Sequence, residues 1–333
     1  MKVLVFTNMY PSEELPFYGS FVHDEVRALR AAGIDTDVFF VNGRKSRWNY
    51  LGMAPGFFRR VARKPYDIVH VHHSYCGLVA TMQSRIPVVW TFHEGEIMTD
   101  PATRGRDHRW KSLAYSAGFK RRVARRVDAV IVVAEFLSNP LGRPDAVTLP
   151  SAVDTGLFRP CETSESLARI GLDSRRRYIL FPSTPGRVEK RYNLARAAVD
   201  AVRARCGDYA DVELISLDDV PHTEVPMYMN ASEMVLMTSA FEASPVTVRE
   251  SLACNVPVIS TDVGDVRQVI DSIEGCHVVE PVVTDIACAI ERALNAPRRV
   301  AARERMLAYS HEKTAQRIIA VYERLAYSRP KIR

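Results

Sequence analysis

Ten short apolar runs recur along this chain of 333 residues, with helix-spaced segments between them. They are Lys2–Thr7, Asp37–Val41, Asp67–Val71, Val88–Thr91, Ala129–Val133, Tyr178–Phe181, Val212–Ser216, Met234–Met237, Val256–Ser260 and His277–Val279. Most are near-continuous in Val, Ile and Leu rather than alternating with polar residues. A strand of that kind is buried on both faces, and helices on both faces of a parallel sheet supply the burial. The helical segments have the matching stripes. Phe21–Ala32 sets Phe21, Val22, Val26 and Leu29 on one side and is stopped by Gly33. Ser112–Val127, Tyr192–Arg205 and Glu312–Tyr327 are the other clear helices. The fold class expected is α/β.

The rhythm pauses around Leu149-Pro150-Ser151 and restarts at Tyr178. A chain of this length suits two cores better than one. The division expected is a Rossmann-like domain over 1–150, a second over 151–310, and a terminal helix over 311–333. Open α/β sheets bind ligands beyond the carboxyl ends of their strands. The informative segments are therefore Asn8–Ser20, His72-His73, His93-Glu94, Ser183–Lys190, Asp218-Asp219 and Ala240–Glu250.

Several function classes fall away. No G-x-G-x-x-G follows the first strand, which argues against a nicotinamide dehydrogenase. The longest apolar runs, such as Ala129–Ala134, are far short of the roughly 20 residues of a membrane span. The apolar start at Val3–Phe6 is too short for a signal peptide, and the six cysteines form no C-x-x-C pair. These features predict a cytoplasmic protein with reduced thiols. The net charge of +6 is concentrated in two clusters, Arg59-Arg60-Arg63-Lys64 and Lys120-Arg121-Arg122-Arg125-Arg126. Such faces suit an anionic membrane surface or are simply solvated; no nucleic-acid-binding motif accompanies them. Phe57, Phe58 and Val61 beside the first cluster suggest an amphipathic surface helix. His70, His72, His73 and Cys76 make a weak zinc pattern without a second ligand pair. Asp35-Thr36-Asp37 matches D-x-D but is expected in a helix-to-strand turn, away from the strand ends.

The chemistry concentrates in the segment from Thr238 to Asp265. A strand leads through Ser239-Ala240-Phe241-Glu242-Ala243-Ser244-Pro245 into a helix beginning Val246-Thr247-Val248-Arg249-Glu250. Helix N-termini present amides and a positive dipole end to phosphate. Glu242 in the loop suits sugar hydroxyls, and Glu250 in the early helix suits the two hydroxyls of a ribose. Upstream, Arg187 and Lys190 follow the strand Tyr178–Phe181, and fixed cations there stabilise a diphosphate as its charge grows. Arg191 is an alternative to either. His93, in Trp90-Thr91-Phe92-His93-Glu94-Gly95-Glu96, ends a strand of the first domain.

Glu242 and Glu250, with seven residues between them, resemble the E-x7-E signature of family 4 retaining glycosyltransferases, which have the GT-B fold. Leu149-Pro150-Ser151-Ala152-Val153-Asp154…Phe158 resembles the family's interdomain linker, Val225-Pro226-Met227-Tyr228…Ser232-Glu233 its "lp.yy..AD" helix, and Tyr18-Gly19-Ser20-Phe21 its N-terminal glycine loop. The usual glycine after the first Glu is Ala243 here, and one glycine, Gly19, stands where many members have two. The resemblance implies two Rossmann-like domains with parallel sheets facing a central cleft, and a terminal helix crossing back to the first domain. It implies catalytic roles for His93, Arg187, Lys190 and Glu242. It also implies a donor site of Gly19, Arg187, Lys190, Glu242, Ser244, Pro245, Val246, Thr247 and Glu250. The activity implied is transfer of a sugar from a nucleotide-diphosphate sugar to a hydroxyl of a sugar or lipid-linked acceptor, with retention and with no metal or cofactor. Bacterial polysaccharide or glycolipid assembly at the inner membrane face is the expected setting. The alternatives are a nucleotide-sugar hydrolase or epimerase of the same fold, and a non-catalytic basic protein binding nucleic acid or membrane.

Overall fold

A computed structural model of the chain describes residues 1–15, 18–43, 45–50, 52–93, 116–205 and 209–328. It divides into two compact units, one of Met1–Pro150 with His311–Arg333 and one of Ser151–Ser310. Each is built on a parallel sheet.

The first unit runs β1 (Lys2–Thr7), α1 (Ser20–Ala31), β2 (Asp35–Phe40), α2 (Met53–Arg63), β3 (Ile68–Val71), α3 (Ser74–Ala80), β4 (Val88–Phe92), α4 (Ala117–Ala124), β5 (Ala129–Val132) and β6 (Val147–Thr148). The sheet order is β2-β1-β3-β4-β5-β6. The two-residue β6 has no apolar run to betray it; it is recruited by pairing Val147 and Thr148 with Ile131 and Val132. Of the helix expected over 112–127, the part from 117 to 124 is α4, and residues 112–115 lie outside those described. One sheet face packs on α1 through Val22, Val26 and Leu29, and on the last helix through Ala315, Ile318, Val321 and Tyr322. On the other face Phe6 stacks between Phe39 and Phe57, with ring centroids 5.0 and 5.2 Å away.

The second unit runs α5 (Thr163–Ile170), β7 (Arg177–Phe181), α6 (Tyr192–Ala204), β8 (Val212–Ser216), α7 (Val225–Ala231), β9 (Met234–Met237), α8 (Val246–Ala253), β10 (Val258–Thr261), α9 (Val266–Ile270), β11 (His277–Val279) and α10 (Val283–Leu294). Its sheet order is β11-β10-β9-β7-β8. The chain then returns to the first unit as α11 (His311–Ser328). Core residues such as Ile179, Phe181, Leu236 and Ile259 are fully or almost fully buried, as strands covered on both faces require.

Both sheets reverse their strand order once, between β1 and β3 in the first unit and between β7 and β9 in the second. Loops leaving the two strands at such a point diverge to opposite faces and open a crevice. The residues singled out by the sequence leave these strands or their neighbours.

Candidate active site

In the second unit the loop after β7 and the loop after β9 are tied together by backbone. The Thr238 hydroxyl donates to the carbonyls of Lys190 (2.9 Å) and Arg191 (3.1 Å), and the Ala240 amide donates to the Glu189 carbonyl at 2.8 Å. Arg191 turns the chain at φ 55°, in the left-handed region, into the start of α6. This fixes where Lys190 points: its ammonium donates to Glu242 Oε1, and Ser239 Oγ donates to the same oxygen at 2.8 Å. Arg187 is exposed and pairs with Glu189, its Nε 2.7 Å from Oε1. The two cations and Glu242 thus belong to one stitched pair of loops.

Ala243 is buried and is not among the described non-glycine residues at positive φ, which are Arg191, Asp219 and Asn255. The loop therefore accommodates alanine where a glycine is usual. The glycine it does need is Gly264, at φ 60°, where an added Cβ would lie 2.4 Å from the Ala243 carbonyl oxygen. Ser244 and Pro245 lead into α8, whose first turn holds Val246 and Thr247. Glu250 is almost wholly buried, and His222 Nε2 lies 2.8 Å from its Oε1. His222 itself is half exposed and packs on Phe158, ring centroids 5.2 Å apart.

Sequence reasoning missed the support beneath this loop. Arg249 is buried; its guanidinium bonds Ser244 Oγ (3.0 Å) and Asp265 Oδ2, and lies over the Tyr309 ring. Ser244 Oγ also reaches Asp265 (2.9 Å), and Ser151 Oγ donates to the Ser244 carbonyl at 3.0 Å. The signal available was an arginine inside an apolar helix stripe with an aspartate following the next strand.

In the first unit, Gly19 ends the loop after β1 and precedes α1 at φ 73°, its Cα packed on the backbone of Met9 and Tyr10. An added Cβ would sit 2.3 Å from the Met9 carbonyl carbon, so only glycine fits. His93 follows β4 and packs on Phe21, ring centroids 4.6 Å apart. Its Nε2 lies 2.9 Å from Nδ1 of His72, which follows β3. Burial, helped by the neighbouring His72, pushes the His93 pKa down to about 3, so the ring is neutral across the physiological range. Behind them His70 is buried, with Nδ1 2.6 Å from the Tyr322 hydroxyl and Nε2 2.6 Å from the Thr91 hydroxyl. Burial holds its pKa well below the usual histidine value. Glu25 of α1 brings Oε1 to 3.4 Å from both His70 and His72. Neither Glu25 nor Tyr322 was singled out by the sequence. Glu94, Gly95 and Glu96 lie outside the described residues.

The other candidates have structural work. Asp35-Thr36-Asp37 is not a turn but the start of β2; Asp35 pairs with Lys2 (3.0 Å), and Asp37 accepts from Lys64 (2.7 Å) and Tyr66 (2.6 Å). His73 caps α3 by accepting from the Tyr75 amide at 3.2 Å, and burial pushes the Cys76 thiol pKa up; of the zinc pattern, His70 and His72 come together, with Glu25. Of the second basic cluster, Lys120 is buried over the Phe92 ring, while Arg121, Arg122, Arg125 and Arg126 are exposed. In the first cluster Arg59, Arg60, Arg63 and Lys64 are exposed beside Phe58, but Phe57 is spent on the core. No helix among the described residues is long and apolar enough to cross a membrane.

Comparison with known proteins bears on the family and the fold. The model of Glycosyltransferase Family 4 matches residues 2–156, and that of Glycosyl transferases group 1 matches residues 212–327. TuaC of Bacillus subtilis, a glycosyltransferase assigned to teichuronic acid biosynthesis, is 25% identical over 80% of this chain and 82% of its own. Among solved structures, the sucrose-phosphate synthase of Thermosynechococcus elongatus superposes with a TM-score of 0.79 over 99% of this chain and all of that one, at 17% identity. Anabaena HepE in complex with UDP and glucose superposes with a TM-score of 0.69 over 97% of this chain and 100% of that one, at 15% identity. With the two models together matching most of the chain and GT-B glycosyltransferases as fold neighbours, the chain belongs to the family 4, group 1 glycosyltransferases.

Proposed function

We propose that this glycosyltransferase moves a sugar from a nucleotide-diphosphate sugar to an acceptor hydroxyl with retention of anomeric configuration. One observation carries the reading: the backbone stitching of the β7 and β9 loops that sets Lys190 against Glu242. In the proposal the donor diphosphate draws Lys190 and Arg187 from their carboxylate partners. Glu242 is then released to accept hydrogen bonds from the sugar. Glu250, with His222 beside it, accepts the ribose hydroxyls, while Ser244, Pro245, Val246 and Thr247 bring the start of α8 to the phosphates. His93, neutral, bonds the transferred sugar, and Gly19 lets the loop before α1 approach the donor. As the C1–O bond to phosphate breaks and the acceptor oxygen bonds C1, the acceptor's proton passes to the leaving phosphate. Positioning and charge stabilisation supply the acceleration, and no metal enters the reaction.

The comparisons favour a sugar donor of this class, since HepE is complexed with UDP and glucose. TuaC's assignment supports a polysaccharide acceptor, and the exposed basic face of α2 supports a peripheral site on an anionic membrane. Anionic vesicles should bind the protein in a salt-sensitive way that replacing Arg59, Arg60, Arg63 and Lys64 by Gln weakens; equal binding to neutral vesicles would exclude it.

The central test is thermal shift with UDP, GDP, ADP and their sugars, in EDTA throughout. One nucleotide should raise the melting temperature, because it binds only the folded state. Glu250→Ala should weaken that nucleotide about tenfold or more, the loss of charged hydrogen bonds to two hydroxyls. Undiminished binding to Glu250→Ala would refute the donor assignment, and activity requiring Mn²⁺ or Mg²⁺ would refute the metal-free mechanism.

A further inference from the structure

The first unit holds a buried polar cluster that the donor chemistry does not use. Glu25, His70 and His72 bring three ligand-type atoms within 4.8 Å of one another. Two of those atoms, Glu25 Oε1 and His72 Nε2, are buried and lack a hydrogen-bond partner among the described residues. They face each other at 3.4 Å, so a shift of a few tenths of an ångström completes the bond. His70 is not their answer, because its two ring nitrogens are already held by the Tyr322 and Thr91 hydroxyls at 2.6 Å each. A cation at the cluster would have to displace one of those bonds. A proton on His72 Nε2 satisfies both orphaned atoms at once.

That proton has a consequence at His93. With Nε2 protonated toward Glu25, a neutral His72 keeps a lone pair on Nδ1, which lies 2.9 Å from His93 Nε2. The lone pair is satisfied by a proton on His93 Nε2. A neutral ring carries one proton, so His93 is left with a bare Nδ1, an acceptor. We infer that Glu25 is a positioning residue which, through His72, fixes the ring of His93 in the Nε2–H form, so that its Nδ1 accepts a hydrogen bond from a hydroxyl of the donor sugar. This rests on the reading of His93 as a sugar contact. Glu25 does not touch substrate. Its carboxylate orders two imidazoles, as an aspartate orders a catalytic histidine elsewhere.

The test uses the full-length enzyme labelled with ¹⁵N-histidine. Long-range ¹H–¹⁵N spectra report which ring nitrogen carries the proton, and His72→Gln and His93→Asn assign the signals. His72 and His93 should both be Nε2–H in the wild type. Glu25→Gln keeps the shape but can donate its amide N–H to His72 Nε2, which should move both rings to Nδ1–H. In that variant kcat should fall about tenfold, the value of one hydrogen bond misdirected in the transition state, with little change in the donor KM. Wild-type rings in the Nδ1–H form, a doubly protonated His72, or stoichiometric zinc bound by Glu25, His70 and His72 after purification would each overturn the inference. So would a Glu25→Gln enzyme with unaltered tautomers. If His93→Asn retains full kcat, the sugar-contact reading fails instead, whatever the spectra show.

Discussion

The two units solve the problem of buried polar chemistry in opposite ways. In the second, charges are kept and paired: Lys190 with Glu242, Arg187 with Glu189 and Arg249 with Asp265, while Glu250 has His222 at hydrogen-bond distance. In the first, although Lys120 is buried over Phe92, the cluster beneath His93 is built mainly of imidazoles. His70 and His93 are held neutral by burial, His70 bonded to two hydroxyls and His93 to His72, with Glu25 the acid among them. On the proposed reading, the difference follows from what each would meet. A diphosphate would bring charge, and exposed or half-exposed cations have partners that such a ligand can displace. A sugar would bring hydroxyls, which need oriented neutral acceptors and donors.

The largest test of this contrast lies beneath the paired site. Arg249 and Asp265 have side chains 1% and 6% exposed, so neither charge can turn to water for compensation. Arg249→Ala should cost about 3–5 kcal/mol, the range for stripping one partner from a buried ion pair. Replacing both residues by apolar ones of similar volume should cost much less. Chemical denaturation checks both. If the single variant is as stable as wild type, the pair is not the support of the Glu242 loop.

Next come the displaceable pairs. Lys190 is half-buried against Glu242 and Arg187 is exposed, and neither anchors the core. Arg187→Ala and Lys190→Ala should each cut kcat by about 10²- to 10³-fold, as for a lost oxyanion donor, with melting temperatures nearly unchanged. The pattern would thus be the reverse of Arg249: activity lost, stability kept. Less than about threefold for both, far below that range, would pass the role to another cation such as Arg191.

What could be read from the sequence divides along the same line. Both sheets follow from runs buried on both faces, because burial on two sides leaves a continuous apolar signature. β6 left none, since a two-residue edge strand is fixed by its partner. The proposed donor residues were legible as a group because Arg187, Lys190, Glu242 and Glu250 lie on short loops and an early helical turn after strands, where chain proximity becomes spatial proximity. Arg249 and Asp265 were adjacent to that motif yet silent, because only packing shows that an arginine points inward. The histidine cluster was least legible. Its members Glu25, His70, His93 and Tyr322 come from two helices, a strand and a strand end, and Tyr322 lies 252 positions from His70. The helix carrying Tyr322 was expected to cross back, but an amphipathic pattern does not say which buried hydroxyl meets which imidazole. Lys120 taught the converse: inside a run of arginines it read as surface, and it is buried.

The smallest effect expected is on stability against pH, and it separates the units by the pH window in which stability is lost. His70 and His93 have folded pKa values below the ordinary 6.5, so below that pH the unfolded chain binds protons that the folded chain refuses. Their contribution is complete above about pH 6.5 and is lost as pH falls toward 3. Each group can contribute at most about 1.4 kcal/mol per pH unit in that window, less for His93, which is partly exposed. Melting temperature should therefore fall by roughly a few degrees per unit from pH 6.5 to 5. His70→Gln lowers stability at pH 7 by removing the bonds to Tyr322 and Thr91, but it should flatten the slope because glutamine does not titrate. In the second unit, burial works to raise the Glu189 carboxyl but its own backbone amide and Arg187 hold it below the usual range, so its contribution is lost only at more acidic pH and alanine there should leave the slope between 6.5 and 5 as it is. A His70→Gln protein with the wild-type slope would mean that the acid sensitivity arises elsewhere, and that the first unit is not the one whose stability depends on keeping histidines neutral.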